Sequence, residues 1–207
     1  MSTPWKAENT YTEKVFKNHD LSDQEISTVE FELCKFVSCN FTESKLKQCT
    51  FRECEFQNCN FTLTKLDSVS LIKCIFTGCR ISRTDFTCII GVLKSFDFIN
   101  CNLDYMDFSH CNLAHQRFID CSIKEGFFAN TNLYEASFQG SDLSGATFEH
   151  CDLRKCNFVD AKNYTISPTI NKLEDAKFSL PEALGLLQGL GIKLTDPQPQ
   201  KTTPDTP

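Results

Sequence analysis

The sequence predicts an all-β fold: a parallel coil of four five-residue sides, repeated about eight times, with a short C-terminal α-helix. Three observations predict it. A large apolar residue recurs at every fifth position, residues twenty apart share an identity, and the residue two before each apolar centre is small.

The apolar centres run without a miss from Phe16 to Phe86, then shift by two residues and run on from Leu93 to Phe158. A period of five belongs neither to a helix, at 3.6, nor to a lone strand, at 2.0. Four sides per coil give a 20-residue turn, and the identities support it. One side reads Phe16, Phe36, Phe56, Phe76, Phe98, Phe118, Phe138 and Phe158, all phenylalanine across the shift. Another reads Phe31, Phe51, Leu71, Leu93, Leu113, Leu133 and Leu153. Three or five sides would mix these sets. Coils stacked at about 4.8 Å make a rod roughly 38 Å long, and no coil buries its inner face alone.

Calling each apolar centre i, twelve of the thirteen cysteines fall at i−2, where Ala, Ser and Thr fill most of the other sites. A five-residue side leaves little room inside, so i−2 must be compact, and Cys serves there as a small buried hydrophobe. The thirteenth, Cys88, lies at the shift. Stacked pairs such as Cys34 and Cys54 approach a disulfide separation, but inward thiols in a reducing cytosol are expected to stay free.

The elements follow in order. Residues 1–15 form an N-terminal cap segment and 16–178 the coil, with a kink near 87–106. The two extra residues fall between Phe86 and Leu93 or, because Phe96 is large for i−2, between Phe96 and Leu103. Met106 and Gln116 are also oversized, so irregular coils are expected over 87–106, as a tolerated kink or a functional bend. Asn163 and Pro168 replace apolar centres before Leu173 and Phe178 return in phase, and Pro168 marks an irregular edge. Ser179-Leu-Pro-Glu182 has capping-box spacing, and Leu180, Ala183, Leu184 and Leu187 have helical spacing, predicting a helix over 180–189. Ile192–Leu194 reads as a small strand, and 195–207, with four prolines, as a disordered tail. The segment 179–194 either caps the rod or forms a homodimer interface through Leu180, Leu184, Leu187, Leu190 and Ile192.

Function classes fall away on composition. A net charge of −6 opposes direct nucleic-acid binding. Residues 1–14 have no apolar signal core and no stretch spans a membrane, so a cytoplasmic protein is expected. His19, His110, His115 and His150 do not cluster with carboxylates, and the recurring C-x4-C is the repeat period rather than a zinc spacing. No phosphate loop or nucleophile motif occurs. No catalytic residue, metal or cofactor is expected.

Cys-Asn-Phe-Thr-Glu (39–43), Cys-Asn-Leu-Asp-Tyr (101–105) and Ser-Asp-Leu-Ser-Gly (141–145) resemble the repeat of the pentapeptide-repeat family, whose pattern is A(D/N)LXX. The resemblance covers Phe16–Phe158 and implies a right-handed quadrilateral β-helix with i and i−2 inside. The rod, the kink and the C-terminal Phe-Ser-Leu-Pro-Glu-Ala segment are similar to the gyrase-protecting branch, chiefly the albicidin-resistance type. The Qnr type differs in its longer projecting loops. The resemblance implies a dimeric DNA mimic that binds DNA gyrase or topoisomerase IV.

Charge placement bears on that reading. Residues 1–15 and 161–207 each sum to zero; 16–86 holds ten acids and nine bases, and 95–160 ten acids and four bases. The candidate partner surface is Asp97, Asp104, Asp107, Asp120, Glu125, Asp142 and Asp160, with Glu135, Glu149 and Asp152 completing the ten. Asp97, Asp107, Asp142 and Asp152 sit at i−1, where the repeat itself favours Asp or Asn. A generic interaction scaffold is the alternative; a host-directed effector would need a secretion signal.

Overall fold

The computed structural model describes residues 5, 9–84, 95–188, 190–193 and 195, which form a four-sided parallel β-solenoid of about eight coils. On the Phe16 side, strands Val15–Lys17, Lys35–Val37, Glu55–Gln57, Ser70–Thr77, Ser95–Ile99 and Arg117–Ile119 pair in that order. Their register places Phe16, Phe36, Phe56, Phe76, Phe98 and Phe118 opposite one another. Successive rings lie 4.5 to 5.6 Å apart from Phe56–Phe76 to Phe98–Phe118. The column continues through Phe138 and Phe158 to Phe178. On the Leu21 side the coils meet through single bridges, Asp20 to Asn40 to Asn60 to Arg80 and onward to Lys162.

Among the described residues nearly every side turns at i+2. There the backbone is left-handed, with φ from +51° at Asp120 to +64° at His115 for residues other than glycine, even at Thr28 and Leu33. Side chains resist this region. A hydrogen bond to the next coil holds most of these residues, for example Asn18 N–H to the Val37 carbonyl at 2.9 Å and Asp120 N–H to the Gln139 carbonyl at 2.9 Å. The i−1 residue braces the turn: Asn40 Oδ1 accepts from the Thr42 N–H at 3.1 Å and its hydroxyl at 2.6 Å. This is the side-chain turn that Asn and Asp make best.

The small i−2 residue carries more chemistry than its size. Its side chain donates across the coil interface to the carbonyl of an apolar centre: Cys34 to Tyr11 at 3.1 Å, Cys74 to Phe51 at 3.3 Å, Thr64 to Phe41 at 2.7 Å, Ser141 to Phe118 at 2.8 Å. A buried carbonyl is thereby satisfied. The described cysteines are buried and free, and burial pushes the Cys74 and Cys156 thiols up to about 12.

Spacing is still 20 at Thr84, whose hydroxyl meets the Phe61 carbonyl; it is 22 from Cys74–Phe96 onward. The two extra residues therefore precede Phe96, and the alternative placement between Phe96 and Leu103 is wrong. Residues 85–94, with Cys88 and the predicted insertion at 87–92, lie outside the described residues. From Ser95 the coils are regular, so the irregularity expected as far as 106 is also corrected; one register shift remains, between Ile72 and Cys74. The oversized i−2 residues fit because small ones follow: Met106 is followed in its column by Gly126, and Gln116 by Ala136. Gln116 Oε1 also accepts the Phe96 N–H at 2.8 Å.

Both ends differ from expectation. The first coil begins a side early, at Thr10–Thr12, where Tyr11 stacks on Phe31 at 5.6 Å. Trp5 plugs the opening, 4.9 Å from Phe31 and 5.2 Å from Phe16. At the other end Asn163 turns out to solvent at φ +57°, and Tyr164 and Ile166 fill the lumen instead. The short C-terminal helix predicted over 180–189 is present as a 3-10 turn, Glu182–Leu184, running into an α-helix, Gly185–Gln188. Its capping box does not form, because Ser179 Oγ accepts the Asp160 N–H instead. Leu186 packs on the core while Leu180 and Leu184 face out. Ile192 and Lys193 are not a strand, and Leu194 lies outside the described residues.

Candidate functional site

The outer surface of the C-terminal half divides the ten acids into two groups. All four bases of 95–160 are matched to acids: Arg117–Asp97 at 3.5 Å, Lys124–Asp142 at 3.2 Å, Arg154–Asp152 at 2.6 Å and Lys155–Glu135 at 3.1 Å. Burial raises the Asp97 carboxyl despite Arg117. Burial also opposes ionisation of Asp142, but hydrogen bonds from Asn163, Ser144 and Lys124 outweigh it and hold the group at about 2. Arg154 draws Asp152 down, and Lys155, with Tyr134, draws Glu135 down. Such exposed, solvent-screened pairs add little to stability; their effect here is to cancel charge.

Among the described residues, Asp104, Asp107, Asp120, Glu125, Glu149 and Asp160 form no ion pair. Asp107 braces its own turn through the Ser109 N–H at 2.9 Å. Asp104 accepts from Asn102, Ser122 and the Lys124 N–H, at 2.9, 2.7 and 2.9 Å. It lines a surface groove of about 300 Å³ with Arg80, Arg83 and Tyr105. Glu149 stands apart at i+1 on the Ile26 side. Asp120, Glu125 and Asp160 remain, each at a left-handed corner.

Asp120 and Glu125 occupy successive corners of one coil, and their side chains lie over Gly140 and Gly145 of the next. A Cβ at either glycine would collide with the carboxylate above it. Both glycines are themselves corners, with φ +72° and +70°, so the next coil leaves these carboxylates clear space. The structure thus does not gather the seven predicted surface residues equally. Asp97 and Asp142 are neutralised, Asp104 and Asp107 are tied into turns, and Asp120, Glu125 and Asp160 form the unpaired edge. Sequence reasoning missed the left-handed corner, although Asn18, Asn58, Asn100 and Asn130 at i+2 carry its signal.

Near this edge the C-terminal segment presents Leu180, Leu184, Leu190 and Ile192, all exposed, with Leu180 at 76%. Leu187, also predicted for this surface, is half-buried. Among the described residues no three of His, Cys, Asp or Glu converge as a metal centre, and no helix is long and apolar enough to cross a membrane.

Comparison with known proteins places this geometry in a lineage. A trypsin-treated form of QnrB1, a plasmid-mediated fluoroquinolone resistance protein, superposes with a TM-score of 0.64 at 17% identity, covering 87% of this chain and 100% of that one. HetL, a pentapeptide repeat protein involved in heterocyst differentiation regulation in the cyanobacterium Nostoc sp. strain PCC 7120, gives 0.55 at 15% identity over 82% and 86%. At these identities the likeness is one of fold. No curated protein matches the chain by sequence. The family model for pentapeptide repeats (8 copies) matches residues 34–71, and that for the pentapeptide repeat region matches 69–148. Together they span 115 of 207 residues, and the chain belongs to the pentapeptide-repeat family.

Proposed function

We propose that the protein is a non-enzymatic, cytoplasmic mimic of duplex DNA that binds DNA gyrase or topoisomerase IV and protects it from an inhibitor. The observation that carries this reading is the unpaired carboxylate edge of Asp120, Glu125 and Asp160 on a rod whose four bases over 95–160 are each matched to another acid. Fluoroquinolone resistance in QnrB1, which shares the fold, supports it. Homodimerisation through Leu180, Leu184, Leu190 and Ile192 would place two such edges about the centre of a rod twice as long.

Magnitude sets how the mimicry works. Duplex DNA carries about 45 charges over roughly 76 Å, whereas two chains at −6 carry −12. Rod shape and a local edge, rather than overall charge density, must be what the enzyme reads. The test is a gyrase supercoiling assay with the purified protein, with and without albicidin or a quinolone. Inhibition, or rescue from the drug, at low micromolar protein is the expected outcome; a folded protein with no effect on either reaction would refute the reading.

One observation favours a second reading, an interaction scaffold for another protein. Ile75 is exposed on the Phe16 side, with Ile99 and Ile119 half-exposed in the two coils that follow. DNA presents no such apolar strip. A gyrase-inactive protein whose Ile75→Lys variant loses a cellular partner would support the scaffold.

A further inference from the structure

We propose that the cysteine column of the Leu21 side is a binding site for a thiophilic d10 metal ion, held in line between two stacked thiolates. Cys39, Cys59, Cys79, Cys101 and Cys121 occupy i−2 in five consecutive coils. All five are buried and free. Parallel bridges join each coil to the next on this side, so the five side chains stack in register. The main chain supplies a second, independent feature. The Cys59 N–H donates to Cys79 Sγ and the Cys79 N–H to Cys101 Sγ, both at 3.4 Å. At Cys101 its column neighbours and the main-chain donor favour the thiolate, the form that binds metal, while at Cys79 the neighbouring thiols and burial push the group up.

Geometry selects the ion. Tetrahedral zinc needs four ligands around one point, and among the described residues not even three converge. A column instead offers each interval one sulfur above and one below. Two metal–thiolate bonds of ~2.3 Å end to end span about 4.6 Å, against a coil spacing of about 4.8 Å. A soft ion accepting two thiolates in line fits that interval. Charge narrows the choice further: a divalent ion between two thiolates is neutral, as an apolar lumen demands. The step is M2+ plus two R–SH giving R–S–M–S–R plus two protons, with no electron transferred. Half-buried His19 heads the same column beside Trp5, with ring centroids 6.3 Å apart.

Counting ions tests the proposal. The full chain carrying Cys54→Ser, which breaks up the shorter Cys34–Cys54–Cys74 run, is reduced and titrated with Hg2+ in excess monothiol, which strips ions from isolated thiols. Native mass spectrometry should show two ions, each adding the metal's mass less two hydrogens. On that background Cys79→Ser leaves two adjacent pairs and should keep two ions; Cys59→Ser should keep one. Cys59→Ser with Cys101→Ser leaves no adjacent pair and should keep none. Serine retains the lumenal donor, as Ser141 does, and the two single variants decide the matter if the double variant fails to fold. Equal uptake by Cys79→Ser and Cys59→Ser, or no uptake by the parent, would overturn it.

Discussion

Asp142 shows how one side chain serves the coil and the surface together. It accepts from Ser144, at 2.6 Å from the hydroxyl, and from Asn163 at 2.9 Å, while pairing with Lys124. These contacts hold its carboxyl at about 2, below the unfolded value near 3.8. A depressed carboxyl contributes stability that is present above the unfolded pKa and is lost as pH falls through the folded one. Asp142→Asn keeps a residue the repeat uses at i−1 but cannot ionise. Urea titrations should therefore show wild type ahead of the variant at pH 5, with the gap closing between about pH 4 and pH 2. A gap constant across that range would refute the assignment. The i−2 cysteines make a second prediction at this scale. Cys54 Sγ donates to the Phe31 carbonyl at 3.4 Å. Cys54→Ser should cost about 1 kcal/mol or less, whereas Cys54→Val should cost about 2 kcal/mol, since it strands the carbonyl and overfills the lumen. Denaturant midpoints for the two variants measure the difference. Sequence alone read i−2 as small; the carbonyl that makes it a donor belongs to another coil, 23 residues away.

Among elements, the Phe ladder and the two end plugs divide the work of stability. Phe118 is fully buried, with Phe138 stacked at 5.0 Å and Phe98 at 5.6 Å. Its neighbours are pinned by their own coils and cannot collapse into a gap, so Phe118→Ala should cost about 3–5 kcal/mol. Phe16, half-buried in the first coil, should cost clearly less. Equal losses in chemical denaturation would show that the ladder does not behave as a stack of pinned rings. The ladder was fully legible, because a strict 20-residue identity repeat leaves no other partner for each ring. The plugs were not. Trp5 lies six residues before Tyr11, out of phase with the five-residue period, so only the fold reveals that it covers Phe16 and Phe31. Trp5→Ala should expose that apolar mouth and bind a hydrophobic dye that wild type excludes.

For the whole molecule, charge and association are the properties to test. Asp120→Lys with Glu125→Lys reverses two neighbouring corners whose side chains hold no partner in the coil. The doubly reversed protein should stay folded yet lose the gyrase effect by tenfold or more, whereas Asp107→Asn, whose carboxyl only braces a turn, should keep it. Leu180→Glu should leave a monomer in sedimentation if the exposed C-terminal leucines join two rods. A dimer that survives the substitution would move the interface elsewhere.

The sequence by itself determined the coil: its four sides, its parallel stacking order, its lumenal residues and the family to which they point. Each of those follows from a period of five and an identity repeat of twenty, which are one-dimensional facts. Which acids stand free was decided only by the tertiary structure. Asp97 and Asp120 are both acids of the Phe16 side, yet Arg117, twenty residues further on, cancels the first, and Gly140 clears space for the second. The same holds for the two ends, where packing on the last exposed layer, rather than periodicity, places Trp5, Tyr164 and Leu186.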